Sequence, residues 1–293
     1  MVIVIFFNSM PELPEVETIV RDLNFRLVNK KIIGIKSSDK KIFQLTPAEV
    51  KQVVGKKIRA VRRRAKMIII DLGGHNLIIH LKMTGQLVYA GKGALIAGGH
   101  PIAGQGKKLP NKFTRVIIKF NDDSALYFND VRRFGWVKSA REDELRQLEE
   151  RLGLEPLSRD FTLEFFKKFL SHKRKTTVKQ ALLDQKYVSG IGNIYADESL
   201  FASRIKPFRR AGSLEPEEIK KLWQAIPKIL RLAIKRRGTS FSDYVDAQGQ
   251  GGNFIKYLKV YGRAGEKCGE CGGLVKKMKL GGRGTHWCDN CQK

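Results

Sequence analysis

Four cysteines, the only ones in 293 residues, stand at Cys268, Cys271, Cys288 and Cys291. They form C-x2-C-x16-C-x2-C, and no other feature limits the fold of any part of the chain so tightly. Each C-x2-C pair can grip one cation from a tight knuckle, and four thiolates complete a closed tetrahedral shell. The spacing predicts a small hairpin built on one structural Zn2+, with no open position for a reactive water. Such pairs read as metal ligands of a reducing compartment rather than as disulfides. Between them lie Lys276, Lys277, Lys279 and Arg283, which puts positive charge toward the hairpin tip. A finger of that kind suits DNA, although many zinc ribbons bind proteins.

The rest of the chain carries the same sign. Lys and Arg total 56 against 29 Asp and Glu, a net charge of +27. A surface so charged repels itself and commonly exists to meet a polyanion. Lys56, Lys57, Arg59, Arg62, Arg63, Arg64 and Lys66 crowd into one short stretch, and further groups occur at 173–179, 206–210, 228–237 and 276–283. Any one group reads equally well as a solvated face. Five spread along the chain predict a long phosphate track, with binding that weakens steeply as salt rises. A membrane surface or the ribosome would use the charge as well, so charge narrows the partner and leaves the chemistry open. No stretch approaches the roughly 20 apolar residues of a membrane span. The apolar opening MVIVIFFNS lacks the basic region and small-residue cleavage site of a secretory signal, so a cytoplasmic protein is expected.

Hydrophobic residues make up 42% of the chain, enough for real cores. A helical spacing over 16–28 precedes short β-rich runs between 31 and 140: IIGIKSS, KMIIIDLGG, NLIIHLKM, RVIIKFNDD, ALYFND and GWVKSA. Runs of this length, separated by Gly, Asn and Asp turns, predict an antiparallel sandwich or barrel. Residues 91–110 read as a flexible loop. From Arg141 onward, helical spacing of Leu, Phe, Ile and Ala covers 141–152, 161–172, 176–186, 193–203 and 215–237. The chain thus reads as α+β, with a β-rich domain over 11–140, a helical domain over 141–254 and a zinc hairpin over 255–293. In SGIGNIYADES (189–199) two glycines permit a tight turn and Asn193 can cap the following helix, whose exposed N–H groups would attract phosphate. Turn-plus-cap is a common arrangement and assigns no function by itself.

Residues 10–18 read MPELPEVET, and this string resembles the start of the formamidopyrimidine-DNA glycosylase (Fpg/MutM) family, bifunctional DNA glycosylases with AP lyase activity. The resemblance continues in order through RRAK (63–66), HLKMTGQL (80–87), NDVRRFG (129–135), LLDQKYVSGIGNIYADESLF (182–201), VYGRAGEKC (260–268) and GRGTHWCDNCQK (282–293), so it covers the chain from Met10 onward. It implies an N-terminal β-sandwich with an N-terminal helix, a helix–two-turn–helix domain and a C-terminal zinc-finger hairpin. It also implies excision of 8-oxoguanine and formamidopyrimidines from damaged double-stranded DNA, in the bacterial cytosol and on the chromosome. A monomer is expected, because no motif demands a symmetric interface.

The resemblance assigns roles residue by residue. Pro11 matches the nucleophile, a secondary amine that attacks sugar C1′, forms an iminium and so allows β,δ-elimination. Glu12 matches the adjacent acid/base that assists sugar ring opening. Lys66 matches a lysine that contacts phosphate and transfers protons in β-elimination, and Arg283 the zinc-finger arginine of δ-elimination. Met83, Arg132 and Phe134 match the group that fills the void left by a flipped base. On spacing alone Met83 and Phe134 would be core residues. Arg174, Lys175 and Asn193 match or adjoin phosphate-contacting positions. The glycine-rich stretch from Gly238 to Phe254 resembles the loop that closes over the flipped base.

Two departures bear on chemistry. Residues 1–9 precede Met10, and while they remain attached Pro11 is an amide without a nucleophilic lone pair. Translation from Met10 followed by methionine removal is the expected resolution. Phe113 stands where the family often places a DNA-contacting histidine, a role that Lys112 or Arg115 could fill. Alternatives are a DNA-binding module without chemistry and an endonuclease VIII-like enzyme acting on other bases. An RNA- or ribosome-associated zinc ribbon is the bland reading that the ordered motifs displace.

Overall fold

The structure, a computed structural model, describes residues 10–91, 94–100, 109–239 and 253–293. The described residues fall into two compact units. One comprises Met10–Glu150 with residues 236–239 and Asn253, the other Arg151–Lys235 with Phe254–Lys293. Residues 1–9, expected to be absent from the mature chain, lie outside the described residues.

The first unit opens on helix α1 (Leu13–Leu27). Pro14 in its first turn fixes a helical φ where no N–H partner is needed, and Glu15 reaches back to accept from the Glu12 N–H at 3.0 Å. These signals start the helix earlier than the expected Val16. Val16, Ile19, Val20, Leu23 and Leu27 then form a buried stripe at helical spacing. Strand β1 (Ile32–Ser37) and a short helix α2 (Pro47–Val53), capped by Thr46, follow. Seven further strands are β2 (Ala60–Arg64), β3 (Met67–Asp71), β4 (His75–His80), β5 (Gly85–Gly91), β6 (Ala94–Gly99), β7 (Thr114–Phe120) and β8 (Ala125–Asp130). Strand β9 (Trp136–Arg141) and helix α3 (Glu142–Glu150) complete the run.

Every strand pairing is antiparallel, in one five-stranded sheet ordered β1-β7-β8-β5-β6 and one four-stranded sheet ordered β2-β3-β4-β9. Ile68, Ile70, Leu77 and Ile79 of the smaller sheet and Leu87, Val116, Ile118 and Phe128 of the larger share one core with α1. This is the expected sandwich. One expectation fails: within 91–110, read as a loop, residues 94–99 form β6 and pair with β5 from Gln86↔Gly99 to Gly91↔Ala94. The reason is close approach. A Cβ at Gly98 would meet Ile19 Cγ1 at 2.3 Å, so a small residue is needed where β6 crosses α1. Residues 92–93 and 101–108 of that stretch lie outside the described residues.

The second unit holds helices α4 (Leu163–His172), α5 (Val178–Leu182), α6 (Asn193–Ala202) and α7 (Pro216–Lys235), each within an expected helical stretch. Thr162 and Thr177 cap α4 and α5 by accepting from Phe165 N and Gln180 N. Their core joins Phe166, Phe169, Leu182, Ile194, Tyr195, Leu222, Ile226 and Leu230. The zinc hairpin is β10 (Val275–Leu280) with β11 (Arg283–Cys288), and β11 lies against α6. No helix among the described residues is long and apolar enough to cross a membrane.

Candidate functional site

In the first unit, Pro11 is buried at the entrance to α1 and Glu12 is 2% exposed. Glu15, also buried, accepts from the Glu12 N–H and additionally from Thr239 N at 2.8 Å and Thr239 Oγ1 at 3.0 Å. One carboxylate therefore ties the start of α1 to residue 239. The stretch beyond it, 240–252, belongs to the segment matched with the closing loop and lies outside the described residues.

Lys66 sits at the tip of the β2–β3 hairpin, where Arg64 pairs with Met67 and Ala65 takes a left-handed φ of 52°. Hairpin tips are usually solvated, yet Lys66 is only 6% exposed. The tip is drawn inward by Arg63, whose Nε donates to Glu17 Oε2 at 2.8 Å while its guanidinium also donates to the Ala65 carbonyl at 3.1 Å. Nearby, burial and then the charges of Lys82 and Lys66 push His80 down to about 3, so its ring is neutral at physiological pH. Its Nδ1 accepts from the Lys82 N–H at 3.0 Å.

Met83, Arg132 and Phe134 come together. The antiparallel register Gly85↔Asp130 sets the β4–β5 turn beside the β8–β9 turn. The Arg132 guanidinium reaches the Met83 sulfur at 3.7 Å and lies 4.6 Å from the Phe134 ring centre. Phe134 is 44% exposed, so the core role that spacing alone suggests is wrong for it. Asp130, fully buried, braces the turn by accepting from Thr84 Oγ1, Arg132 N and Gly135 N. Arg115, a candidate to replace the phosphate contact missing at Phe113, donates its Nε to the Asp130 carbonyl at 3.1 Å, while Lys112 lies over the Phe113 ring.

In the second unit, Arg174 and Lys175 are exposed in the turn between α4 and α5. The glycine turn before α6 is stapled by Gln185, which accepts from Gly190 N and donates to the Ile191 carbonyl; Gly190 takes φ +91°, a conformation that favours glycine. The expected cap is corrected. Gly192 is the N-cap and Asn193 the first helical residue, because the Asn193 side chain is drawn away to donate to the Gly284 carbonyl at 2.8 Å. That carbonyl directly follows Arg283, which is exposed at the start of β11. Lys179 also donates to Gly284 O, at 3.0 Å, and to Thr285 Oγ1. Its ammonium pairs with Asp197, which in turn accepts from His286 N. This buried cluster was not foreseen from the sequence; its one signal is a lysine on the apolar face of α5, between Val178 and Ala181.

The four cysteine sulfurs lie within 4.8 Å of one another, with Cys268–Cys291 at 3.8 Å and Cys271–Cys288 at 3.4 Å. A tetrahedral zinc with bonds of about 2.3 Å separates its sulfurs by about 3.8 Å, so the set fits. The chemistry agrees. Burial and the three neighbouring sulfurs push the Cys291 thiol up to about 12, the mark of sulfurs gathered at one point, and a bound cation would offset that crowding. Cys268, Cys271, Cys288 and Cys291 are the ligands of one structural zinc ion.

Three family models match the chain: the formamidopyrimidine-DNA glycosylase N-terminal domain over residues 10–137, the H2TH domain of the same enzymes over 152–245, and the zinc finger found in FPG and IleRS over 265–293. The chain is 42% identical over 289 residues to the formamidopyrimidine-DNA glycosylase of Pelotomaculum thermopropionicum, covering 97% of this chain and 99% of that one. It is 41% identical over 287 residues to that of Carboxydothermus hydrogenoformans, with 97% and 100% covered. Among solved structures it is similar to a mutant of Lactococcus lactis Fpg bound to Fapy-dG-containing DNA, with a TM-score of 0.85, 35% identity, and 97% and 100% of the chains covered. Lactococcus lactis Fpg bound to abasic-site DNA gives 0.84, 34%, and 96% and 99%.

Proposed function

The chain belongs to the formamidopyrimidine-DNA glycosylase family, and on that premise we propose that it is a base excision repair glycosylase with AP lyase activity that removes oxidised purines from duplex DNA. The observation that supports this most is the cluster of Met83, Arg132 and Phe134, an exposed aromatic ring held by a guanidinium beside a thioether. An enzyme that works on a stacked base must extrude it and fill the gap. A flexible thioether and a ring can enter the stack, and a guanidinium can pair with the orphaned base.

The proposed chemistry begins at Pro11, freed when translation starts at Met10 and the methionine is removed. The proline lone pair forms a bond to sugar C1′ as the glycosidic bond breaks; the bonding pair leaves with the base, which takes up the proton shed by the proline nitrogen. Glu12 supplies a proton to O4′ as the sugar opens, giving an iminium between Pro11 and C1′. The iminium acidifies C2′; loss of that proton expels the 3′ phosphate, and a second elimination expels the 5′ phosphate. Lys66 assists the first elimination and Arg283 the second. Water then hydrolyses the iminium and releases the unsaturated sugar remnant. Arg174, Lys175 and Asn193 contribute phosphate contacts, Asn193 through its place at the start of α6. Zinc takes no part in the reaction.

Borohydride trapping tests this reading. Protein beginning at Pro11, mixed with a duplex holding 8-oxoguanine opposite cytosine, gives a covalent protein–DNA band as the iminium is reduced. Restoring residues 1–9 abolishes it. A Pro11-initiated protein that binds the duplex and never traps would be a binding protein without this chemistry.

A further inference from the structure

The turn that carries Arg132 and Phe134 contains a second arginine, and its side chain goes elsewhere. Arg133 takes a left-handed φ of 58°, which L residues rarely adopt without a compensating contact. Its Nε lies 2.5 Å from Asp39 Oδ2, across 94 positions of sequence. Asp39 is 5% exposed and is fixed by its own loop before Arg133 meets it. Its other carboxylate oxygen accepts from Lys41 N at 3.0 Å, and its carbonyl accepts from Ile42 N and Phe43 N. The same loop is bonded to strand β9, with Val137 N donating to Ile42 O and Gln44 N to Val137 O. It also sets the Lys41 ammonium 5.8 Å from the centre of the Phe134 ring.

We propose that Asp39 and Arg133 form a positioning pair: Asp39 holds Arg133 in its left-handed conformation, and this fixes the turn so that Arg132 lies against both Met83 and the Phe134 ring in the arrangement that fills the void of a flipped base. The proposal rests on the void-filling reading above. Asp130 secures both ends of the turn, at Arg132 N and Gly135 N, but none of its bonds reaches Arg133. The Asp39 carboxylate supplies that restraint from outside the turn. Held below the usual carboxylate range, first by its bond to Arg133, Asp39 stays charged throughout the physiological range. The pair acts through position and touches no reacting atom.

The test uses the full chain from Pro11 with Asp39→Ala, Arg133→Ala and the double variant, and Phe134→Ala as a control for the wedge itself. Three readouts are taken: single-turnover excision of 8-oxoguanine from duplex, nicking at a preformed abasic site, and fluorescence of 2-aminopurine placed opposite the lesion. Misplacing a catalytic arrangement by about 1 Å costs on the order of 10²-fold. Duplex excision by each single variant is expected to fall toward that extent, with loss of the 2-aminopurine signal. Abasic nicking stays within about threefold, since an abasic sugar has no stacked base to extract. The double variant is expected to be no worse than either single one, because the two residues act as one unit. Parallel loss of both reactions together with a lowered melting temperature would make the pair merely structural and overturn the proposal. So would single variants that excise like the parent protein. Excision unaffected by Phe134→Ala would overturn the void-filling reading and this proposal with it, while absence of any trapped adduct in the parent protein would overturn the glycosylase reading itself.

Discussion

Lys179 and Asp197 meet at 2.6 Å with side chains 1% and 0% exposed, so a full ion pair is sealed between α5, α6 and the zinc hairpin. Removing one partner of such a pair leaves a buried uncompensated charge and costs about 3–5 kcal/mol, whereas removing both charges costs much less. Lys179→Met is therefore expected to lower unfolding free energy by several kcal/mol, and Lys179→Met with Asp197→Asn to recover part of that loss. Denaturant unfolding of the three proteins measures it. Additive losses would show that the two residues do not act as a pair.

Glu12 is buried at the start of α1 and is the proposed proton donor. Glu12→Gln keeps the shape and removes the proton, so excision is expected to slow by about 10²–10⁴-fold. Affinity for undamaged duplex should change little. Single-turnover rates and binding titrations separate the two, and an unchanged rate would remove Glu12 from the mechanism.

Cys271 is the exposed ligand of the zinc shell. Cys271→Ser is expected to drop bound zinc from one ion per chain toward none, and to unfold the β10–β11 hairpin that carries Arg283. Metal analysis and duplex affinity should fall together. Full affinity without zinc would mean that the hairpin holds its shape unaided.

His80 sets a pH dependence. Its folded value is near 3 against about 6.5 unfolded, so below 6.5 the unfolded chain takes up a proton that the folded one refuses. The stability it contributes is complete above pH 6.5 and is lost as pH falls through the range between the two values. Between pH 7.5 and 5 that loss is on the order of 1–2 kcal/mol. His80→Asn, which keeps an acceptor for Lys82 N, should flatten that part of the profile. Identical profiles for the two proteins would assign the acid sensitivity elsewhere.

Arg174 and Lys175 lie exposed in one turn. Each phosphate contact contributes about 0.9 to the slope of log affinity against log salt. Replacing either by alanine should reduce that slope by about 1 with no change in lesion preference. A slope unchanged by both substitutions would place the phosphate track elsewhere.

Much of this was legible in the residues, and the exceptions share a cause. The zinc set announced itself because ligand spacing is local, and most strands and helices because period and turn residues are local too. Strand β6 was missed because its glycines, a loop signal in sequence, serve close packing, Gly98 on Ile19 and Gly99 on the backbone of Gly85. Asn193 looked like a cap until Gly284, far along the chain, claimed its amide. Phe134 read as core on spacing, and only the family motif pointed outward. Asp39–Arg133 and Lys179–Asp197 join distant positions, and no local pattern encodes such a meeting.

The bonds from Thr239 to Glu15 carry a consequence for the order of events during synthesis. The first unit is made of two pieces, and the second is translated only after α4 to α7 have emerged. Domains generally fold as units while the chain is being made. Here the sheets can form early, yet the start of α1 lacks two of the donors to Glu15 until residue 239 has left the ribosome. A nascent chain halted before that point would hold its sandwich with the entrance to α1 still incompletely bonded.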